Sequence, residues 1–214
     1  MRTFTRLFTA ALFLITDLLG LCGTTNPPLP LESLPCCLPG TDLVARELAA
    51  YEGPFWEDES DEPLGNIAAL VLENVGSEAV ETASVTLVQG QRRLYFEATY
   101  VPPESTVLVL ERDRAVYTDE PAFLHSSCIS IESARFQTAV DISEVDQITL
   151  CVTNPTQETI KQVEIFYKHC CEDLYVGGIT YSVVIGDLAS GETRQFSPYR
   201  YVSGSSRIVD VRSR

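Results

Sequence analysis

The stretch DQITLCVTNPTQETIKQVEIFYK, Asp146–Lys168, lies without a gap on NIAALVLENVGSEAVETASVTLV, Asn66–Val88, 80 positions upstream. Leu150 falls on Leu70, Asn154 on Asn74, Glu158 on Glu78, Ile160 on Val80, Val163 on Ala83 and Ile165 on Val85. Each copy reads as strand, Asn-led turn, strand. Apolar residues recur at every second position on either side of a cluster of turn formers. One β-unit is therefore present twice, and the pattern predicts that each copy opens a β-domain with a hairpin.

The rest of the chain extends this pattern. Gln89-Gly90-Gln91 predicts a tight turn, and Arg93–Tyr100 a strand with Leu94, Phe96 and Ala98 on one face. Thr106–Glu111 is a dense β-branched run. Residues 112–129, which carry His125 and Cys128, read as irregular, and Ser130–Val140 returns as a strand. In the second copy the excursion HCCEDLYVGG, His169–Gly178, replaces the tight turn. Beyond it the offset reads as 88, so that Phe96 meets Val184 and the second copy carries eight extra residues. Ile179–Ile185, Thr193–Ser197 and Arg207–Val211 complete it. Short strands about 10 residues apart with turn signals between them argue a β-sandwich. The lack of a strong long amphipathic helix after residue 52 disfavours parallel βαβ folds. The expected fold is all-β, two tandem immunoglobulin-like β-sandwich domains at 66–140 and 141–214. Ahead of them come a signal or anchor segment at 1–23, a Pro-rich linker at 24–41 and a leading segment with an acidic run at 42–65. Within that leading segment Asp42–Tyr51 fits either a short helix or a strand.

Arg2 and Arg6 precede an apolar run from Leu7 to Leu21, broken by Asp17, which is the layout of a secretory signal. Three readings stay open: a cleaved signal peptide, a lipobox ending at Cys22, and a retained membrane anchor. Leu21 stands where a lipobox needs a small residue. All three predict export, to the extracellular face of a cell envelope or beyond it, with membrane contact only through this segment. The formal net charge of −15 repels phosphate backbones and argues against nucleic-acid binding. Hydrophobic residues at 45% suffice for ordinary cores. Cys22 apart, the six cysteines Cys36, Cys37, Cys128, Cys151, Cys170 and Cys171 leave every disulfide connectivity open.

His169-Cys170-Cys171, followed by Glu172 and Asp173, is the sharpest chemical constellation. Thiolate, imidazole and carboxylate all ligate metals, yet adjacent residues point different ways and zinc sites space their ligands as C-x-x-C. No metal or cofactor is expected. A nucleophilic pair of His125 or His169 with Cys128 or Cys170 would need an activated thiolate beside a base. Nucleophile-elbow, zinc-helix, P-loop and dinucleotide motifs are absent from the sequence, so a non-enzyme is expected. The alternative is a thiol- or metal-dependent redox protein or enzyme that uses the His169-Cys170-Cys171 loop. With Tyr175, these residues form the candidate interaction site. The acidic run Glu57–Glu62 lacks the spacing of a calcium loop. Tyr51, Phe55 and Trp56, and also Tyr199-Arg200-Tyr201, are aromatic patches suited to stacking or to packing. Sheet edges and the Tyr175–Tyr181 loop suit strand addition. A protein or a cell-wall component is the expected partner.

The segments LENVGSEAVETASVTL, RRLYFEATYVPPESTVLVLE, VTNPTQETIKQVEIFYK and LYVGGITYSVVIGDLASGE, preceded by YEGPFWEDESDE, carry a resemblance. Over residues 42–212 the chain resembles a group of uncharacterised envelope proteins of Gram-positive gut bacteria. Phe166-Tyr167-Lys168 and Gly177–Tyr181 are its most specific marks. The resemblance implies tandem immunoglobulin-like domains similar to small FxLYD-type modules of the bacterial envelope. It brings no activity and no catalytic residues.

Overall fold

Val80, Ala83, Val85 and Leu87 point into the core while their neighbours face outward, and the same alternation recurs along the chain. The computed structural model describes residues 32–54, 63–131 and 140–213, and within them the chain forms strands and no helix. The first half contains β1 (Glu32–Ser33), β2 (Cys36–Cys37), β3 (Leu43–Pro54), β4 (Pro63–Asn74), β5 (Val80–Gln89), β6 (Arg92–Val101), β7 (Ser105–Leu110) and β8 (Ala122–Ile131). The second contains β9 (Asp141–Glu144), β10 (Leu150–Thr153), β11 (Ile160–Cys171), β12 (Leu174–Val176), β13 (Tyr181–Leu188), β14 (Thr193–Phe196) and β15 (Ser206–Arg212). The fold is all-β and sandwich-like.

In the first half, β1-β8-β5-β6 covers β2-β3-β4-β7. Leu43, Leu70, Leu72, Leu87, Leu94 and Phe96 fill the space between the sheets, each contributing about 1.5–3 kcal/mol by burial. In the second half, β14-β10-β9 covers β11 flanked by β13 and β15, over Val152, Val163, Ile165 and Leu188. Four strand pairings recur in the second half. β3–β4, β4–β7, β5–β6 and β5–β8 recur as β9–β10, β10–β14, β11–β13 and β11–β15.

Several expectations change. Asp146–Lys168 is no hairpin: β10 and β11 belong to different sheets, so the Asn-led turn is an arch between layers. The same holds for β4 and β5. Phe96 pairs with Val85 and Val183 with Ile165, so the copies stand 87 positions apart from the third strand on. Val183, not Val184, is the partner of Phe96 across the repeat, and the insertion is seven residues. Val184 is 63% exposed, which the one-residue difference explains. Ala122–Ile131, expected to be mostly irregular, is the strand β8 paired along β5. Asp42–Tyr51 resolves as strand, since β3 pairs along β4. The C-terminal part of the Pro-rich segment also joins the first half through β1 and β2. Residues 1–31, the acidic run with Phe55 and Trp56, and most of the strand expected at Ser130–Val140 lie outside the described residues.

The two asparagines that mark the repeat pin the arches. Asn74 is 1% exposed; its Nδ2 donates to Glu78 O (2.8 Å) and Val101 O (3.2 Å), and its Oδ1 accepts from Gly76 N (3.0 Å). Asn154 is fully buried; its Nδ2 donates to Glu158 O (2.7 Å) and Leu188 O (3.0 Å), and its Oδ1 accepts from Thr156 N (2.9 Å). Each amide ties the turn to the end of the third strand, where the bond to Val101 O or Leu188 O is buried. Asn74→Ala and Asn154→Ala are each expected to lower stability by about 2–3 kcal/mol, read from urea unfolding midpoints.

Candidate functional site

The tip that follows the second repeat stretch leaves its own half. β11 turns at Glu172, which takes a left-handed φ of 54°, and β12 returns with Cys170 opposite Tyr175 and Cys171 opposite Leu174. β12 then pairs in parallel with β7, Leu174 opposite Thr106 and Val176 opposite Leu108. The two halves thereby share an eight-stranded sheet. Gly177 N donates to Leu108 O (2.8 Å), and Gly178 O accepts from Thr99 N on β6 (2.7 Å). β6 and β7 are the edges of the first half's two sheets on this side, and the insertion covers both. Exposed edges are sites of unwanted pairing, and covering them is one established remedy.

Lys168 lies at the centre of this junction and is 0% exposed. Its Nζ donates to Thr99 O (3.0 Å), Gly178 O (3.2 Å), Ile179 O (3.0 Å) and Thr180 Oγ1 (3.1 Å). Thr180 Oγ1 also donates to Thr99 O (2.6 Å), and Thr180 N donates to Thr99 Oγ1 (2.8 Å). A buried ammonium is tolerable only when oxygen dipoles replace its hydration, and here they come from both halves. The burial of Lys168 is not legible in the sequence, because its alternation parity, opposite to Ile165 and Tyr167, marks it as outward-facing. Its counterpart Val88 occupies an ordinary half-buried hairpin position.

His169 is 2% exposed, with Nδ1 3.3 Å from Ser206 Oγ and its ring edge-on to Tyr181 at 5.2 Å. Cys170 is half-buried against the first half's core, and Cys171 is exposed. Successive residues of a strand face opposite ways, so His169 and Cys170 are not brought together. Tyr175 is 8% exposed and belongs to the first half's core, with the Arg207 guanidinium 5.9 Å above its ring. Burial pushes the Cys170 thiol up, opposed by Arg207 and reinforced by Cys171 and Asp173. Burial likewise raises Cys36. His125 and Cys128 are both exposed on β8. Among the described residues, the six cysteines are free thiols, and no group of three or more His, Cys, Asp or Glu side chains is arranged to hold a metal ion. With a thiol reagent near neutral pH, Cys37, Cys128 and Cys171 are expected to react first, and Cys36 and Cys170 at least about tenfold more slowly. Mass-resolved labelling reads the order, and a fast Cys170 would contradict the burial described.

An aromatic cluster backs the junction. Tyr167 stacks on Tyr181 and meets Tyr201 edge-on, both at 5.6 Å, and its hydroxyl donates to Tyr199 O. Tyr201 is buried and donates to Glu144 Oε1 (2.6 Å), whereas Tyr199 is 65% exposed. The Tyr199-Arg200-Tyr201 patch thus divides into one core residue and one surface residue. Tyr51, from the other patch, is buried. Burial first, then the Tyr181 and Tyr199 phenols, push Tyr167 up to about 12. A phenol raised on folding contributes stability that is complete below the unfolded value and is lost as pH climbs through the folded one. Stability is therefore expected to fall between about pH 10 and pH 12, with less loss in Tyr167→Phe, measured by denaturant titration.

No family model matches this chain, and no curated protein matches it. No described helix is long and apolar enough to cross a membrane.

Proposed function

We propose that the chain is an exported, non-catalytic protein of two tandem immunoglobulin-like β-sandwich domains that binds or spaces at the bacterial cell envelope. The repeated strand pairing and the two buried asparagines support the tandem reading. The Lys168 junction carries the functional reading: a clamp between halves sets a fixed geometry, which a spacer or presenting module needs and a flexible tether lacks. Of the residues that suggested thiol chemistry, Cys170 packs against the first half's core and His169 lies between Ser206 and Tyr181, while Cys171 is exposed. The charge of −15 suits a hydrated surface. Its partner is a protein or a cell-wall component.

Intact-mass and N-terminal analysis of the protein from fractionated native cells tests export. The expected product is an envelope or secreted form beginning near Gly23, or a lipid-bearing Cys22. A cytoplasmic chain that keeps Met1 and carries no lipid would overturn the reading.

A further inference from the structure

On the side away from the junction, the first half is closed by its own leader. Glu32 and Ser33 pair with Leu124 and Phe123 of β8, and Cys36 and Cys37 pair with Ala45 and Val44 of β3. One extended segment thus leaves one sheet and joins the other. Leu38 N donates to Leu43 O (2.8 Å), Cys36 and Leu38 are buried in the core, and Leu34 packs against it. The segment fills the gap between the two edges with apolar side chains at alternate positions.

The repeat carries this arrangement to the second half. Val152 pairs with Ile142 as Leu72 pairs with Ala45, and Tyr167 pairs with Ile208 as Leu87 pairs with Leu124. Ile142 on β9 therefore stands where Ala45 stands, and Ile208 on β15 where Leu124 stands. Between them lies a cavity of about 310 Å³ lined by Ile142, Glu144, Leu150, Tyr201, Arg207 and Ile208. Among the described strands, β9 pairs only with β10 and β15 only with β11. Val145 N donates to Thr149 O (2.9 Å), so by antiparallel alternation the backbone groups of Ile142 and Glu144 face away from β10. The second half's other side is closed internally: Arg194 of β14 donates to Ile185 O and Asp187 O of β13.

We propose that this cavity and the outer edge of β9 form a docking groove for an extended polypeptide segment with apolar side chains at alternate positions. The segment adds to β9 as Cys36–Leu38 adds to β3. The occupied counterpart in the same chain specifies the occupant: a strand that pairs by main-chain hydrogen bonds and seats small or aliphatic side chains between the sheets. Tyr201 and Ser203 fix the Glu144 carboxylate at one wall (2.6 and 2.5 Å), and Arg207 on the other wall is turned to Glu172 O (3.0 Å). Apolar seating, not net charge, therefore sets recognition. The proposal deepens the binding reading above, and it is tested on purified protein, so its failure leaves the export measurement standing.

A displayed library of random linear peptides is panned on the folded full chain. Enriched peptides are expected to carry apolar residues two positions apart, to slow amide exchange at Ile142 and Glu144, and to shift Ile208. Ile142→Pro removes an outward N–H at an edge where proline is tolerated, and it is expected to weaken their binding about tenfold or more, whereas Ile142→Val retains it. Failure to enrich any peptide, equal binding to Ile142→Pro, or protection on β13, β14 or β1–β3 instead would each overturn the proposal. Self-association that protects the same amides without peptide would assign the groove to a second copy and overturn it too. Should Ile142→Pro not fold, exchange protection in the unsubstituted chain decides alone.

Discussion

Lys168→Met is expected to lower stability by about 3–5 kcal/mol, a fall in melting temperature of roughly 6–20 °C for a chain of this size. Methionine keeps the length and apolar stem of lysine but removes the donors. Thr99 O, Gly178 O, Ile179 O and Thr180 Oγ1 then lose a charged partner, Gly178 O in a buried place and the other three in partly buried ones. Each buried acceptor left short of a partner costs about 1–3 kcal/mol. Lys161→Met is the control. Its ammonium meets Asp187 at 2.7 Å on the surface, and the lysine side chain is 60% exposed. The Lys161 bond, with the backbone N–H of Gln162, holds Asp187 below the usual carboxylate range. Because the pair is solvated, its loss is expected to change stability by less than about 1 kcal/mol. Urea unfolding of both variants separates the cases, and equal midpoints would show that the junction is not held by Lys168. Amide exchange is expected to rise first at Thr99 and Gly177 in Lys168→Met, because the junction opens before either core.

Gly178→Ala should act on the same junction by a different force. A Cβ at Gly178 would lie 1.9 Å from Glu97 O and 3.4 Å from Val109 Cγ1. The first contact is with backbone of a paired strand, so no side-chain rotation relieves it. The loop must withdraw from β6, taking the Gly178 O acceptor away from Thr99 N and Lys168. A loss of about 3–5 kcal/mol is expected. Gly191→Ala is the comparison: its φ of 68° penalises alanine, but nothing lies near the added carbon, and about 1 kcal/mol is expected there. A Gly178→Ala variant that melts within about 2 °C of the parent would mean the loop has room to move that the packing does not show.

Local periodicity carried a large share of the fold. Alternation along Val80–Val88 and Ile160–Tyr167 identifies strands and their buried faces because a strand's side chains must alternate. The paired Asn74 and Asn154 identify the turns because a short amide there replaces a backbone partner. Where periodicity is silent, the reading fails in a consistent way. The arch at Asn154 looks like a hairpin, since the same strand–turn–strand pattern serves either one sheet or two. The offset of 88 is one residue too long because an insertion can be placed anywhere in a turn until pairing fixes the register, and Val184 then takes the place of Val183. Residues 112–129 conceal most of β8, whose polar His125, Ser126 and Ser127 interrupt its apolar signal.

The composition and order of residues 146–168 are enough to establish a duplicated β-unit. They do not establish that Lys168 is buried, because its oxygen partner Thr99 lies 69 residues upstream and reaches it only once the two halves are docked. The same reason turns the His169–Gly178 tip from a site for thiols into a seal over β6 and β7. Which strand edges meet is a property of the closed chain, set by long-range pairing, and no short-range pattern encodes it.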